Sequence, residues 1–468
     1  MSLFGYDLYL IPSPMQRHDF RNRFIGVKSL KIVILGAGFA GIYTAINLRK
    51  FKKNLEISLV DYNNYHLYKP MLHEVATSSV EPKHIIQPIH KILKGNDFKF
   101  IRGMVQDIDF KKKIVKICQK CDDCEVLEQC SLERFNLSMG DIMPQKMELE
   151  YDYLVISIGG SQNFYGIKGA KEFSLPLNNL KDSTEINRRI LDAFQIANCV
   201  ADKKTRKRML TFAVIGAGPT GIEFVSDLHE WIYGVLLEEF TNIGPDDVKI
   251  YLIEAGRDLL HLSNKETREA AKERISEKEI EVLKESPVVR VEKDKLILKD
   301  SKISTFTTIW TAGVKGNNLI SRLDIKKDPL DRIIVDEYLE VDGAEGVFAL
   351  GDCSLQKLPE FERPLPQTGQ VAVQQAKFLV SHLSRKIDNK KEVPFYFRDL
   401  GSALSIGKYS AIGNIFGVLQ LSGLIGWIFW KFLYFRHLMG IKRSLRGTLD
   451  WFYDISYDRE ASRHKFAK

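Results

Sequence analysis

A chain of 468 residues is longer than one hydrophobic core usually spans, and at about 150 residues per domain it predicts about three domains. With 44% hydrophobic and 27% charged residues, 32 Gly and 15 Pro, the composition excludes collagenous and disordered classes, and six cysteines in so long a chain exclude a small disulfide scaffold and suggest a reducing compartment. The net charge of +8 is concentrated at one end: residues 431 to 468 hold nine Lys/Arg against four Asp/Glu, +5 of the +8, which argues for an anionic surface rather than nucleic acid.

Residues 1–30 mix Arg17, Arg21, Arg23 and Lys28 with Asp7 and Asp19, lack an apolar run of secretory-signal length and read as an N-terminal extension. From Lys31 the texture changes. A strand is predicted over Ile32 to Leu35, followed by the turn Gly36-Ala37-Gly38-Phe39-Ala40-Gly41, a helix to Lys50 and a second strand, Leu55 to Val60, ending in Asp61. The buried strand in Asp152 to Gly160 enters a glycine turn at Gly159, and Leu180 to Ile196 reads as helix. The opening grammar then returns: Thr211 to Ile215, the turn Gly216-Ala217-Gly218-Pro219-Thr220-Gly221, a helix through Trp231, and Lys249 to Ile253 ending in Glu254. Thr267 to Val282 is charged and predicted helical, Val288 to Leu298 alternates as strands, and Thr308 to Gly313 is an apolar strand with a glycine exit. A late strand ends in Gly351-Asp352, and Ala372, Ala376, Leu379 and Leu383 mark a helix within Leu365 to Arg385.

The last stretch differs in kind. Tyr409 to Trp430 carries no charge over twenty-two residues, enough length for a membrane span, but Gly413, Asn414, Gly417, Gln420, Ser422, Gly423 and Gly426 interrupt it. A strand-like half over Ile412 to Leu421 followed by a helix from Leu424 fits better. Trp427, Trp430, Tyr434 and Phe435, then Arg436, Lys442, Arg443 and Arg446, describe short amphipathic helices lying in a headgroup layer.

A G-x-G-x-x-G turn between strand and helix brings backbone N–H groups to a pyrophosphate, and an acid at the end of the next strand accepts from the adenosine ribose 2′-hydroxyl while repelling a 2′-phosphate. Gly36, Gly38 and Gly41 with Asp61 form one such set, and Gly216, Gly218 and Gly221 with Glu254 form the other, which predicts NADH over NADPH in the second unit. Two dinucleotide sites in one chain usually serve electron transfer from a nicotinamide to a flavin. Gly351-Asp352 returning to the first unit assigns FAD there, with a turn aspartate capping the next segment as the plainer alternative for Asp352.

The chain resembles the type II NADH dehydrogenases, single-subunit NADH:quinone oxidoreductases of the FAD/NAD(P)-binding pyridine nucleotide-disulfide oxidoreductase superfamily. The resemblance runs from about Lys31 to the end. It is carried by Asp61-Tyr62-Asn63-Asn64-Tyr65-His66 with Pro70-Met71-Leu72, by Gly216 to Glu223, by Val347 to Asp352, by Pro366 to Gln374, and by the tail Leu421-Ser422-Gly423 through Trp451. One departure is Gly369, where the family usually has Ala.

The resemblance implies an α/β fold of two Rossmann-like domains, the FAD domain interrupted by the NADH domain, with a C-terminal membrane-docking region. The boundaries read as extension 1–30, FAD domain 31–182 and 333–400, NADH domain 183–332 and docking region 401–468. It further implies hydride transfer from NADH to flavin N5 and then two electrons to a membrane quinone without proton pumping. The N-terminus of the helix from Thr368 and Gly369 would lie by the flavin, and Gln370 and Gln374 would face the quinone. Glu223 would bind the nicotinamide or handle a proton, its alternative being a surface glutamate in a first helical turn. His66 would belong to the flavin-side loop or pack a turn, and Lys408 would stand near the quinone entrance or in solvent. A peripheral protein on the cytoplasmic face of a cell membrane follows, with a homodimer left open.

The cysteines depart from the family. Cys118, Cys121, Cys124 and Cys130 fall in an excursion, 118–147, where relatives have a short hairpin turn. Four thiolates suit zinc or an iron–sulfur cluster, and Cys121 with Cys124 suits a redox disulfide, although one knuckle without a distant second pair is atypical of zinc. Cys353 reads as a small buried residue. A sulfide:quinone oxidoreductase, which needs flavin-side redox cysteines, and a flavoprotein whose reduction switches partner binding are the rival readings.

Overall fold

The computed structural model describes residues 29–48, 54–94, 98–118, 146–415 and 419–437. Residues 1–28 of the N-terminal extension, Cys121, Cys124 and Cys130, and the basic tail from residue 438 lie outside the described residues.

Two five-stranded parallel sheets organise the chain. In the first, Leu30–Leu35 is central, flanked by Leu55–Asp61 on one side and Tyr153–Ile156 on the other, with Phe98–Arg102 and Val347–Ala349 at the edges. In the second, Thr211–Ile215 is central, flanked by Lys249–Ile253 and Thr307–Trp310, with Ile280–Leu283 and Leu175–Pro176 outermost. The strands read as unbroken apolar runs because both faces of each sheet are covered, by helices on one side and by a three-stranded antiparallel sheet on the other; Ile32, Val33, Ile34 and Leu35 are all buried, as is every residue of Thr211–Ile215. The edge strand Val347–Ala349 completes the first sheet only after the whole second unit has been built, so the first unit is discontinuous in sequence.

The second sheet takes Leu175–Pro176 as a strand, and the boundary read at 182 falls inside helix Leu180–Cys199. Helix Lys265–Ser276 stops short of the helix predicted through Val282, because Ile280–Leu283 pairs in parallel with Lys249–Ile253 and extends the sheet. The helix Gly369–Ile387 buries the predicted stripe Ala372, Ala376, Leu379 and Leu383, and packs along Phe39–Leu48 of the first unit.

The C-terminal part is a three-stranded antiparallel sheet, Gly401–Ser405, Ala411–Ile415 and Leu419–Leu421, followed by helix Gly423–His437. Trp427, Trp430 and Lys431 of that helix face the protein and are buried, whereas Leu424, Ile425 and Ile428 are 54%, 69% and 54% exposed. Among the described residues, no helix is long and apolar enough to cross a membrane. The hairpin Ile114–Cys118 with Lys146–Glu150 keeps antiparallel register up to the pair Cys118 and Lys146, so residues 119–145 are inserted at its tip.

Candidate active site

The two glycine turns are built alike. Gly36 and Gly216 adopt φ of +95° and +100°, and a Cβ on either would strike the backbone of the neighbouring strand exit, at Ser157 and Ala312 respectively. Gly41 and Gly221 sit directly against the carbonyls of Gly36 and Gly216, so a side chain there would part helix from strand. Nothing lies within 4 Å of where a Cβ of Gly38 or Gly218 would stand, which leaves the turn open beside the N-termini of helices Phe39–Leu48 and Pro219–Trp231. That open, side-chain-free approach to a helix N-terminus is what a pyrophosphate requires, and the residues fit two dinucleotides. Pro219 at the first helical position has no N–H to waste, and Thr220 continues the turn, as Ala40 does in the first unit.

The acids repeat as well. Ala37 donates its N–H to Asp61 Oδ2, and Ala217 donates to Glu254 Oε2 at 2.9 Å. Just past strand Tyr153–Ile156 in the first unit and Thr307–Trp310 in the second, a hydroxyl locks the turn from beneath: Ser157 donates to the carbonyls of Leu35 and Gly36, and Thr311 to those of Ile215 and Gly216. The exits beyond these hydroxyls, through Gly159 (φ +70°) and Gly313 (φ +74°), pair with each other as an antiparallel ribbon of Gly160–Gln162 and Val314–Gly316. Gln162 Nε2 adds bonds to the carbonyls of Ala312 and Gly313, both 2.7 Å. The two units are thus joined at matching points of their turns.

The Gly351-Asp352 turn closes over the first unit. Gly351 faces Ala40 and Ala372, and Asp352 lies against Gly160. Burial lifts the carboxyls of Asp61 and Asp352 above the usual carboxylate range, opposed by the N–H groups of Ala37 and Asn63 at Asp61 and by the Lys69 ammonium at both. Asp352 is half-buried and lies against Gly160 beside the first cradle. His66 Nδ1 pairs with the Ala37 carbonyl at 2.8 Å and its ring meets Phe39 edge-on, while its buried Nε2 has no hydrogen-bond partner among the described residues. Thr368 caps helix Gly369–Ile387 by accepting from Val371 N–H, and a Cβ on Gly369 would stand 3.5 Å from the Phe39 ring, so the positive end of a 19-residue helix abuts the first unit.

Glu223 is not a surface residue. It is buried in helix Pro219–Trp231 and accepts the Ser405 N–H at 3.2 Å, tying the second unit to the C-terminal sheet. Burial pushes its carboxyl up to about 7, against the pull of His73 and the Ser405 N–H. Beside it, His73 pairs with Asp227, and Glu74 pairs with Lys431 of the C-terminal helix.

Gln370 and Gln374 are both engaged with main chain. Gln374 donates to the Arg398 carbonyl at 2.9 Å and accepts its N–H at 3.1 Å; Gln370 accepts from Leu400 N–H at 2.6 Å and donates to the Gly401 carbonyl at 3.2 Å. Each amide acts as a clasp holding the segment that leads into strand Gly401–Ser405. Lys408 stands apart, its N–H donated to Glu230 and its ammonium 5.4 Å from the Tyr409 ring centroid. Glu230 lies seven residues beyond Glu223, about 10 Å along the helix.

Several residues that the sequence reading passed over belong here. Gln375 is buried, accepts the Gly351 N–H at 2.8 Å and donates to Gln356, holding the Gly351-Asp352 turn. Lys69, His73, Asp227 and Lys431 were likewise unassigned. The signal for Lys431 was available, since it is the first charge after twenty-two uncharged residues. Among the described residues, no group of three or more His, Cys, Asp and Glu could hold a metal, and Cys118, Cys199 and Cys353 are free. Burial pushes the Cys353 thiol up to about 12.

The chain matches known proteins along most of its length. Over 461 residues it is 29% identical to a probable NADH dehydrogenase of Dictyostelium discoideum, covering 97% of this chain and 96% of that one. Over 434 residues it is 26% identical to the type II NADH:quinone oxidoreductase Ndh of Mycobacterium tuberculosis, covering 90% and 87%. Its fold matches NDH2 from Plasmodium falciparum, solved in complex with NADH, with a TM-score of 0.81 at 21% identity over 93% of this chain and all of that one. The sulfide:quinone oxidoreductase of Aquifex aeolicus matches less well, with a TM-score of 0.66 at 20% identity over 86% and 89%. The family model for pyridine nucleotide-disulphide oxidoreductases spans residues 30–376, from the first strand of the first cradle into the helix that abuts it, and the chain belongs to that family.

Proposed function

We propose that the chain is an FAD-dependent NADH:quinone oxidoreductase that works at a membrane surface on its cytoplasmic face. The observation that carries this reading is the pair of matching cradles joined exit to exit by the ribbon of Gly160–Gln162 and Val314–Gly316, with Gly351-Asp352 over only one of them. What FAD supplies when bound is a two-electron store between a hydride donor and a quinone.

The chain's own residues then divide the work. Gly36, Gly38 and Gly41 with Asp61, Gly159 and Asp352 would hold FAD, with His66, Phe39 and the Thr368-capped helix end beside it; the positive helix end favours added negative charge there. Gly216, Gly218 and Gly221 with Glu254 and Gly313 would hold NADH, and a carboxylate at Glu254 disfavours a 2′-phosphate. Glu223, at the junction of the second unit and the C-terminal sheet, is the carboxyl we assign to proton handling. Gln370 and Gln374 shape the segment 398–401, which we read as the quinone-side wall, with the glutamines acting through that backbone. The exposed Leu424, Ile425 and Ile428 supply an apolar face for the membrane where the quinone resides.

Steady-state turnover with NADH, NADPH and a short-chain quinone tests donor, acceptor and flavin together. The expected outcome is a yellow protein whose kcat/KM for NADH exceeds that for NADPH by at least about tenfold. Flavin bleaching by sulfide without bleaching by NADH would instead establish the sulfide:quinone reading. Bleaching by NADH with no quinone reduced, even with lipid present, would favour a redox-switched flavoprotein.

A further inference from the structure

Behind Glu223 lies a set of charged side chains that neither cradle requires. The His73 side chain is only 2% exposed and lies between two carboxylates of helix Pro219–Trp231. Its Nδ1 is 3.0 Å from Asp227 Oδ2, and its Nε2, which has no hydrogen-bond partner among the described residues, is 3.6 Å from Glu223 Oε2. Glu223 and Asp227 are one helical turn apart and share a face, and the short helix Leu72–Ala76 lays the imidazole across both. On the same short helix, Glu74 receives two bonds from Lys431 Nζ, at 2.9 and 3.0 Å. Lys431 is held 4.7 Å from the centroid of the Trp430 ring, and the Tyr68 phenol, pushed up chiefly by burial, also feels the charges of Glu74 and Glu223.

Charge balance singles out one proton. Three carboxylates, Glu74, Asp227 and Glu223, face two cationic groups, Lys431 and His73, in a region where all five are at least nine-tenths buried. Lys431 matches Glu74 and His73 matches Asp227. Glu223 is the member left without a full countercharge, and one proton on it, in addition to the one His73 Nε2 already carries, neutralises the set.

We propose that His73 holds the proton that Glu223 passes to the reaction, with Asp227 fixing the imidazole so that Nε2 is the releasing nitrogen; this role rests on the NADH:quinone reading. The overall reaction is NADH plus quinone plus one proton giving NAD⁺ and quinol, so the hydride supplies two electrons and one proton and a second proton must be taken up. In the step assigned here the O–H bond of Glu223 breaks as its proton passes to the oxygen of the reduced quinone, and the Nε2–H bond of His73 then breaks as an O–H bond re-forms at Glu223 Oε2. The neutral imidazole keeps its Nδ1–H, donated to Asp227, and a proton from water later restores the imidazolium. The electrostatics agree: burial pulls the imidazole down, yet Glu223, Asp227 and Glu74 together hold it up at about 9. His73 acts through Glu223 and is a positioning residue in that sense.

Two measurements on the full-length protein test this. In protein labelled with ¹⁵N-histidine, one imidazole should remain protonated to above about pH 8 and should titrate at lower pH in Asp227→Asn. In anaerobic stopped-flow on the holoenzyme, His73→Gln should slow reoxidation of the flavin by a short-chain quinone at least about tenfold, and Asp227→Asn should move the pH limb of that phase to lower pH. Bleaching by NADH takes up no proton and should change less than about threefold. Reoxidation with an unaltered rate and pH profile in both variants overturns the proposal, as does an imidazole titration indifferent to Asp227→Asn. Should His73→Gln fail to fold, the nearly isosteric Asp227→Asn carries the test. Absence of bleaching in the unsubstituted holoenzyme would sink the NADH reading and this role with it, while the imidazole titration would still report on the His73–Asp227 pair.

Discussion

Gly216 shows how little room a functional backbone position allows. At φ +100°, a methyl group there would stand 2.8 Å from Ala312, so Gly216→Ala combines backbone strain with a steric clash. The expected result is a loss of about 1–3 kcal/mol in stability together with failure of NADH to bleach the flavin, while the protein stays yellow because the first cradle is untouched; denaturant melts and stopped-flow check both parts. Such positions are legible in sequence because strand, glycine turn, helix and acid all lie within about forty residues of one another. The charged set around His73 was not, since Asp227 is 154 positions from His73 and Lys431 is 357 from Glu74, and no local pattern reports contacts of that span. That set also predicts a pH effect. His73 is held above its ordinary 6.5, so the stability it contributes is complete below about pH 6.5 and is lost as the pH rises through about 9. Glu223, also raised, acts in the same direction between its ordinary 4.5 and about 7. The melting temperature should therefore fall by several degrees from about pH 6.5 to pH 9.5, and less steeply in His73→Gln.

At the scale of elements, helices and strands with a strong internal period were readable, and errors arose where a distant partner decided the outcome. Residues 280–282 end the charged stretch whose pattern predicts a helix over Thr267 to Val282, but the second sheet recruits Ile280–Leu283 as an edge strand. The helix Gly369–Ile387 announced itself by Ala372, Ala376, Leu379 and Leu383, whereas the use of its glutamines was hidden, because their partners are main-chain groups some thirty positions on. Those clasps carry a prediction. Gln374→Ala removes both bonds to Arg398, so the amide of Arg398 should exchange with deuterium at least about tenfold faster while Leu400, held by Gln370, changes less. The global cost should be about 1 kcal/mol. If Gln374 touched only the quinone, exchange at Arg398 would not move.

For the molecule as a whole, the C-terminal helix has two sides with different jobs. Its inner side carries Trp427, Trp430 and Lys431, and removing the helix would strip Glu74 of its partner and leave a buried charge unpaired. Truncation therefore confounds membrane binding with damage to the interior. The cleaner test is Ile425→Gln with Ile428→Gln on the outer side, which removes the apolar face without adding charge and should release the protein from anionic vesicles while leaving flavin reduction by NADH within about twofold. Retention on vesicles would assign binding elsewhere in the chain. The two-domain plan itself was legible because the same turn occurs twice and a later strand repeats the first unit's exit. The joining of the two exits by hydrogen bonds was not, since Gly160–Gln162 and Val314–Gly316 carry no side-chain pattern of their own. That ribbon has a mechanical consequence. A tether at matching points of both turns acts as a strut rather than a hinge, so the span between the two halves should stay constant through turnover. Pulsed electron-spin distances between labels on the two domains should be the same with and without NADH, and the pace of the cycle is left to the arrival and departure of small molecules.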